Sequence, residues 1–380
     1  MHYRTWYAIH KWTSLVCMAF LLMLCVTGLP LIFSHELNRA LGNSVDAPPL
    51  AGHDAARRAD LDAIVADAQR RRPRDVPQFI VAEADEPDLV NVRMAARVDD
   101  PGLTAYTTYD ARTGAFLGDY PLDSGFMTVM LRLHTDMYSG LPGTLLLGFM
   151  GLLLAASIVS GVAVYGPHMR KLEFGTVRRA RAGRIAWLDR HNVLGMATLA
   201  WLLVVGVTGT INALNRPIFS HWQATELAAL AAPYAHLPPV TGTPSAAAAV
   251  AAARAARPHM ALSFMAYPGN GFATPRHFIA FMQGDTAVTS KLLDIVMIDA
   301  VTHDVVATGS MPWTVSALML SQPLHFGDYG GLALKLLWLL LDVLSIVVLW
   351  SGLVLWWKRR PHPSPHGGVT VRPRLPKLLR

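Results

Sequence analysis

Cysteine and charge are the two scarcities that bound this chain. Of its 380 residues only two are cysteine, Cys17 and Cys25, both inside one apolar run. There is no C-x-x-C and no C-x-x-C-H, which excludes an iron–sulfur cluster, a cysteine-based zinc site and a covalently attached c-type cofactor. No G-x-G-x-x-G stands between a strand and a helix, so a Rossmann site for NAD(P)H is absent as well. Charged residues make up 16% of the chain and hydrophobic ones 52%, a balance too oily for a soluble domain.

What is present in quantity is long apolar sequence. Four segments, about Leu15 to Phe33, Leu141 to Tyr165, Val193 to Leu214 and Leu332 to Trp357, approach or exceed the roughly 20 residues that cross a hydrocarbon core. The first follows Arg4 and Lys11 as a signal peptide would, but it lacks a small-x-small cleavage site and reads as a retained span. Only the fourth contains ionisable residues. Lys335 can snorkel, whereas Asp342 near the middle is costly and marks a proton relay or a buried polar partner.

Charge then orients the spans. Arg4, Lys11, the loop Gly166–Arg190 and the tail Lys358–Arg380 hold sixteen basic residues against Glu173 and Asp189. The whole chain is only +7, so the remainder is net negative. The positive-inside rule places both termini and that loop in the cytoplasm, and the basic residues read as topology signals with no nucleic-acid partner.

The resulting order is a span over 9–33, an outer segment over 34–130, a span over 138–165 and a basic cytoplasmic loop over 166–190. A span over 191–214, an outer segment over 215–322, a span over 329–357 and a cytoplasmic tail over 358–380 follow. The outer segments read alike as α+β. Helical stretches at Asp60–Arg72 and Ser245–Arg257 precede strand-like runs at Gln78–Ala82, Leu89–Ala95 and Thr104–Tyr109, and at Ala261–Ala266, His277–Met282 and Leu292–Ile298. Polar turns at Asp110–Gly114 and Asp299–His303 end each as a hairpin. The fold class is therefore a mainly α membrane protein, four spans in two parallel repeats, each with an α+β domain on the outer side. Such repeats are related by a pseudo-two-fold axis along the membrane normal.

Histidines mark the repeat. His10 and His191 are each followed 17 residues later by Thr-Gly, at Thr27-Gly28 and Thr208-Gly209. His134 and His325 are each followed 26 residues later by Ser-Gly, at Ser160-Gly161 and Ser351-Gly352. By depth, His10 pairs with His191 near the cytoplasmic face and His134 with His325 near the outer face. Two imidazoles from facing helices can fill both axial positions of a haem iron, so the sequence calls for two non-covalently bound haems. The helix face of His10 carries Ser14, Cys17, Leu21, Cys25 and Gly28, and that of His191 carries Gly195, Thr198, Leu202, Gly206 and Gly209. These stripes are small enough for a neighbouring helix or a flat ring to approach. Arg4, Lys11 and Arg190 near the inner pair and Arg132 near the outer pair are either propionate partners or headgroup anchors. His35 and His221, each in an Ile-Phe-Ser-His run, are alternative outer ligands or contacts for an incoming metal complex.

On these residues the chain resembles the PepSY-associated transmembrane proteins, over nearly its whole length. The resemblance rests on the His10 and His191 helix starts, Leu133-His134 and Leu324-His325, the Ser-Gly motifs and the Asp110 and Asp299 hairpins, although His303 stands where the first hairpin has Gly114. Within that family it is most similar to the di-haem ferric-siderophore reductases of the ferrioxamine-utilisation type. That implies a Gram-negative inner membrane, periplasmic PepSY-type domains, b-type haems and electron delivery to a ferric siderophore. The donor is then a partner reductase, a reduced flavin or a quinol. A siderophore or metal permease and a non-catalytic periplasmic scaffold are the competing readings.

Overall fold

A computed structural model of the chain describes residues 2–50, 57–82, 86–120, 124–169, 178, 183–286 and 289–358. Most of the basic loop and the tail beyond residue 358 lie outside the described residues.

Four long apolar helices build the membrane part: α1 (Tyr3–Ile32), α5 (Leu141–Met169), α6 (Gly183–Ala213) and α11 (Gly331–Trp357). All four are long and apolar enough to cross a bilayer. They close a ring in which α1 and α6 each pack against both α5 and α11. The outer faces stay apolar and exposed, with Val16, Phe149, Leu152, Leu336, Leu340 and Trp350 directed away from the ring. A lipid environment covers such surface at no desolvation cost.

Two of these helices begin earlier than their hydropathy suggests. The first starts at Tyr3, and the third at Gly183 rather than His191. Their opening turns carry Arg4, Arg184, Asp189 and Arg190, which a hydropathy reading assigns to loop. In α6 the buried Asp189 is held by Arg178 at 2.7 Å, so the polar turn stays folded. His10 and His191 consequently sit two turns inside their helices.

Short helices flank the spans on the opposite side. α2 (Ser34–Ala40) follows α1, and α4 (Phe126–Thr135) precedes α5. α7 (Asn215–Trp222), a π-helical turn over Gln223–Leu227 and α8 (Ala228–Ala231) follow α6, and α10 (Trp313–Phe326) precedes α11. α4 packs on α1 and α10 on α6, so His134 and His325 are delivered by separate helices.

The two outer segments do not stand apart. Strands β1 (Val76–Val81), β2 (Leu89–Ala95), β3 (Ala105–Asp110) and β4 (Phe116–Asp119) come from the first. Strands β5 (Met260–Ala266), β6 (His277–Gly284), β7 (Leu293–Asp299) and β8 (Val305–Ser310) come from the second. They form one eight-stranded antiparallel sheet in the order β4-β3-β2-β1-β5-β6-β7-β8. The junction is β1 on β5, with Ile80 opposite Met265. Joining removes two unpaired strand edges that separate domains would expose.

On the face away from the spans lie α3 (Leu61–Arg71) and α9 (Ala246–Ala256). Ile64, Val65 and Ala68 from α3 and Ala249, Val250 and Ala253 from α9 bury against Ile80, Val92, Met94, Met265 and Phe278. α3 also caps α9 across the junction. Asp62 of α3 accepts from the Ala247 amide (2.9 Å) and the Ser245 hydroxyl (2.5 Å) at the start of α9. The hairpin turns match in backbone as well. Gly114 and His303 occupy the same left-handed region, at φ 74° and 62°, so the histidine keeps the turn despite the side chain. In both, an aspartate side chain, Asp110 or Asp299, accepts from two turn amides.

Candidate functional site

The four histidines meet in two pairs. His10 on α1 faces His191 on α6 with ring centres 6.3 Å apart and planes at 64°. His134 on α4 faces His325 on α10 at 6.1 Å and 62°. The pairs are well separated. His134 lies against Gly28, which is 18 residues beyond His10 on the continuous helix α1, about 27 Å along its axis.

Each ring is held in the same way, by a carbonyl, a hydroxyl and a glycine on a different helix. His10 Nδ1 donates to the Ser157 carbonyl at 2.8 Å, and its Cε1 lies 3.0 Å from where a side chain on Gly161 would begin. His325 Nδ1 donates to the Val205 carbonyl (3.0 Å) and the Thr208 hydroxyl (3.2 Å), with Cε1 again 3.0 Å from the Cβ position of Gly209. His191 does the same with Val348 (3.1 Å), Ser351 (2.9 Å) and Gly352. His134 uses the Leu24 carbonyl, the Thr27 hydroxyl (3.0 Å) and Gly28.

The chemistry of these cradles fixes the tautomer. A carbonyl can only accept, so Nδ1 carries the proton. The hydroxyls of Thr27, Thr208 and Ser351 already donate into their own helices, and so accept from the ring. Nε2 is left as the bare nitrogen, the form that ligates a metal, with Nδ1 engaged as metal-binding histidines require. The Ser-Gly and Thr-Gly motifs are therefore seats for histidines of other helices. Sequence spacing alone attached each motif to the preceding histidine in the chain. The true partners are crossed: His10 lies on Gly161 and bonds Ser157, with the Ser160 hydroxyl donating into its own helix, and His134 lies on Thr27-Gly28.

All four rings and their four glycines line one cavity of about 1490 Å³ that runs between the helices. That exceeds the roughly 300–1,000 Å³ of an ordinary small-molecule site. The His10 stripe lines it throughout, as do Gly195, Leu202, Gly206 and Gly209 of the His191 stripe. Thr198 instead is buried. Among the described residues no three His, Cys, Asp or Glu side chains cluster as a complete metal site, so each pair can supply only two protein ligands.

The other sequence-derived residues distribute unevenly. Lys11 lines the cavity, with its ammonium 4.0 Å from the Trp12 ring. Arg4 is exposed at the start of α1. Arg190 lies over Trp187 and Arg132 over Tyr138, each at 5.3 Å, with Arg132 also 3.4 Å from Asp136. His35 is exposed on α2 at the cavity's outer end, and His221 is exposed on α7 outside the lining. Neither ring joins a histidine pair.

Asp342 is buried, lines the cavity and hydrogen-bonds with the Cys25 thiol beside Gly28. Its counterpart, Gly151, sits at a close crossing of α5 and α6. A Cβ there would be 2.5 Å from Thr210 Oγ1 and 2.7 Å from the Gly206 carbonyl. No side chain fits at that crossing, so position 151 cannot carry a counterpart of Asp342.

Four apolar spans, an attached antiparallel sheet and histidines paired between helices define a multi-span membrane protein with an internal polar site. The chain belongs to the family described as the PepSY-associated TM region, whose model matches residues 7–359. It is also similar to an uncharacterised protein of Pseudomonas aeruginosa, 33% identical over 89 residues, 23% of this chain. The match spans 22% of that relative's length.

Proposed function

We propose that the protein is an inner-membrane, di-haem b electron carrier that reduces a ferric siderophore in the periplasm. The observation that carries this reading is the spacing of the histidine rings. With about 2 Å from metal to nitrogen and about 1 Å from nitrogen to ring centre, two imidazoles that shared one iron would have centres about 6 Å apart. Both pairs have that separation before any cofactor is added, at 6.3 and 6.1 Å. The macrocycle would supply the remaining ligands, so two residues per iron suffice.

The residues present suit the group. His10 with His191 and His134 with His325 would hold it, the glycines seat those rings against the neighbouring helices, the cavity the rings line leaves room for a macrocycle, and without a C-x-x-C-H attachment would be non-covalent. Once bound, b-type haem with two histidine ligands supplies one-electron transfer and leaves no open position for oxygen. The chain's own contribution is to fix each Nδ1 proton and keep Nε2 free. The hydrogen-bonded Asp342 and Cys25 lie beside the outer histidines, where they could relay a proton.

In this reading the two halves are parallel repeats, the termini are cytoplasmic and the sheet is periplasmic. The donor is a partner reductase, a reduced flavin or a quinol. Purified protein should show a low-spin b-type spectrum and two haems per chain by pyridine haemochrome assay. His191→Ala should leave one. A protein isolated from haem-replete cells with no haem at all would exclude the proposal and leave the permease and scaffold alternatives.

A further inference from the structure

The cavity does not end at the outer histidines. It continues past α2 and α4 to the membrane-facing side of β2 and β3, where Asn91, Tyr106 and Thr108 line it. Among the described residues, no strand of the second half of the sheet lines this cavity, and the strand registers show why. β1 and β2 pair Phe79 with Arg93 and Val81 with Asn91, while β5 and β6 pair Phe264 with Phe281 and Ala266 with Ile279. Carried one strand further, Thr108 corresponds to Met297 and Tyr106 to Ile295. Asn91, Arg93, Tyr106 and Thr108 thus stand where the second half has Ile279, Phe281, Ile295 and Met297.

The flanking helices follow the same division. Trp222, fully buried, fills the space beneath β6 and β7 together with Phe272, Leu227, Met311 and Val315. Its counterpart in the Phe-Ser-His run of α2 is Glu36, which turns away to Lys335 at 2.7 Å. That ammonium holds the Glu36 carboxyl below its usual range. One half of the sheet is plugged with aromatic side chains, and the other is an open polar vestibule.

We propose that this vestibule, between α2, α4 and β2–β3, is the docking site for the ferric chelate. The assignment rests on the reductase reading above and deepens it. Position supports it: Thr128 at the vestibule and His134 at the outer pair are six residues apart on α4, about 9 Å along its axis. Composition indicates the ligand. The wall offers amide and hydroxyl groups, as in the Thr108 hydroxyl donating to Asn91 at 2.7 Å. Of the cations that line it near the sheet, Arg39 pairs with Asp46 at 2.9 Å and Lys335 with Glu36, Arg93 on the same sheet face lies over the Phe79 ring outside the lining, and Glu86 adds a carboxylate. Such a wall suits a neutral or cationic chelate with a hydrogen-bonding periphery and disfavours a strongly anionic one.

The test uses the full-length protein in detergent, reduced with dithionite, with haem reoxidation followed by stopped flow in the presence of a ferrous trap. The probes are neutral ferric tris(maltolate) and anionic ferric EDTA. Asn38→Trp with Thr128→Trp fills the vestibule, and Asn91→Ile with Thr108→Met gives it the residues of the plugged half. Ala224→Trp, the position on the second half that corresponds to Asn38, is the control. Both vestibule variants should keep the haem spectrum and slow reoxidation by ferric tris(maltolate) roughly tenfold or more, the control less than about twofold. Glu86→Lys should shift the ratio of the two rates toward ferric EDTA by about threefold. Unchanged rates in spectrally intact vestibule variants, or equal slowing in the control, would overturn the site. A ratio that does not move with Glu86→Lys would overturn its charge assignment. Failure of the reductase reading is distinct, since the unaltered protein would then lack haem or fail to be reoxidised by either probe.

Discussion

Gly161 and Gly209 leave His10 and His325 room that a side chain would take. A Cβ at either position meets the ring at 3.0 Å, closer than nearly all real contacts, whereas Gly352 leaves His191 3.5 Å. Gly161→Val or Gly209→Val should therefore push a ring off its carbonyl and remove one of the two haems, as counted per chain by haemochrome assay. Gly352→Ala should keep both, and loss of haem there would contradict the cradle geometry. A second residue-scale prediction concerns acid. Arg112, hydrogen-bonded to the buried Asp110 at 2.8 Å, holds that carboxyl below its usual range. A lowered carboxylate adds stability above the ordinary range near about pH 4 and loses it as pH falls through the folded value. Unfolding of the sheet, followed by circular dichroism, should be flat above that point and steepen below it. Asp110→Asn should be less stable at neutral pH, with a shallower acid limb.

Among the elements, the spans and strands were nearly all legible, because each has a strong period of its own. The second strand was read as Leu89–Ala95 and is found there, and the fourth span differs by one residue. The small helices were not legible. α2, α4, α7 and α10 have mixed polarity over 7 to 14 residues, and only packing on the spans decides their state. The aromatic plug belongs to this scale too. Trp222 is 1% exposed and packs against Phe219, Phe272 and Phe281. Trp222→Ala should cost about 3–5 kcal/mol of sheet stability in chemical denaturation. If the plug is purely structural, the haem spectrum should be unaffected.

At the scale of the whole molecule, the eight-stranded sheet ties the two halves together across β1 and β5, above a closed ring of four helices. The proposed orientation predicts where reporters will work. Alkaline phosphatase, active only after export, should be active when inserted near residue 54 and inactive near residue 175. The reverse pattern would overturn the topology drawn from the basic loops.

The sequence by itself determined the spans, the charge asymmetry, the α+β character of the outer segments and the pairing of His10 with His191 and His134 with His325. Those are local or repeated properties, and a periodic pattern records them in a single chain. Tertiary structure alone decided which glycine seats which histidine, that two outer segments share one sheet, and that one half of that sheet is open while the other is filled. Each of these depends on which surfaces meet. Gly161 and His10 are 151 residues apart, and nothing in either neighbourhood states that one will leave room for the other.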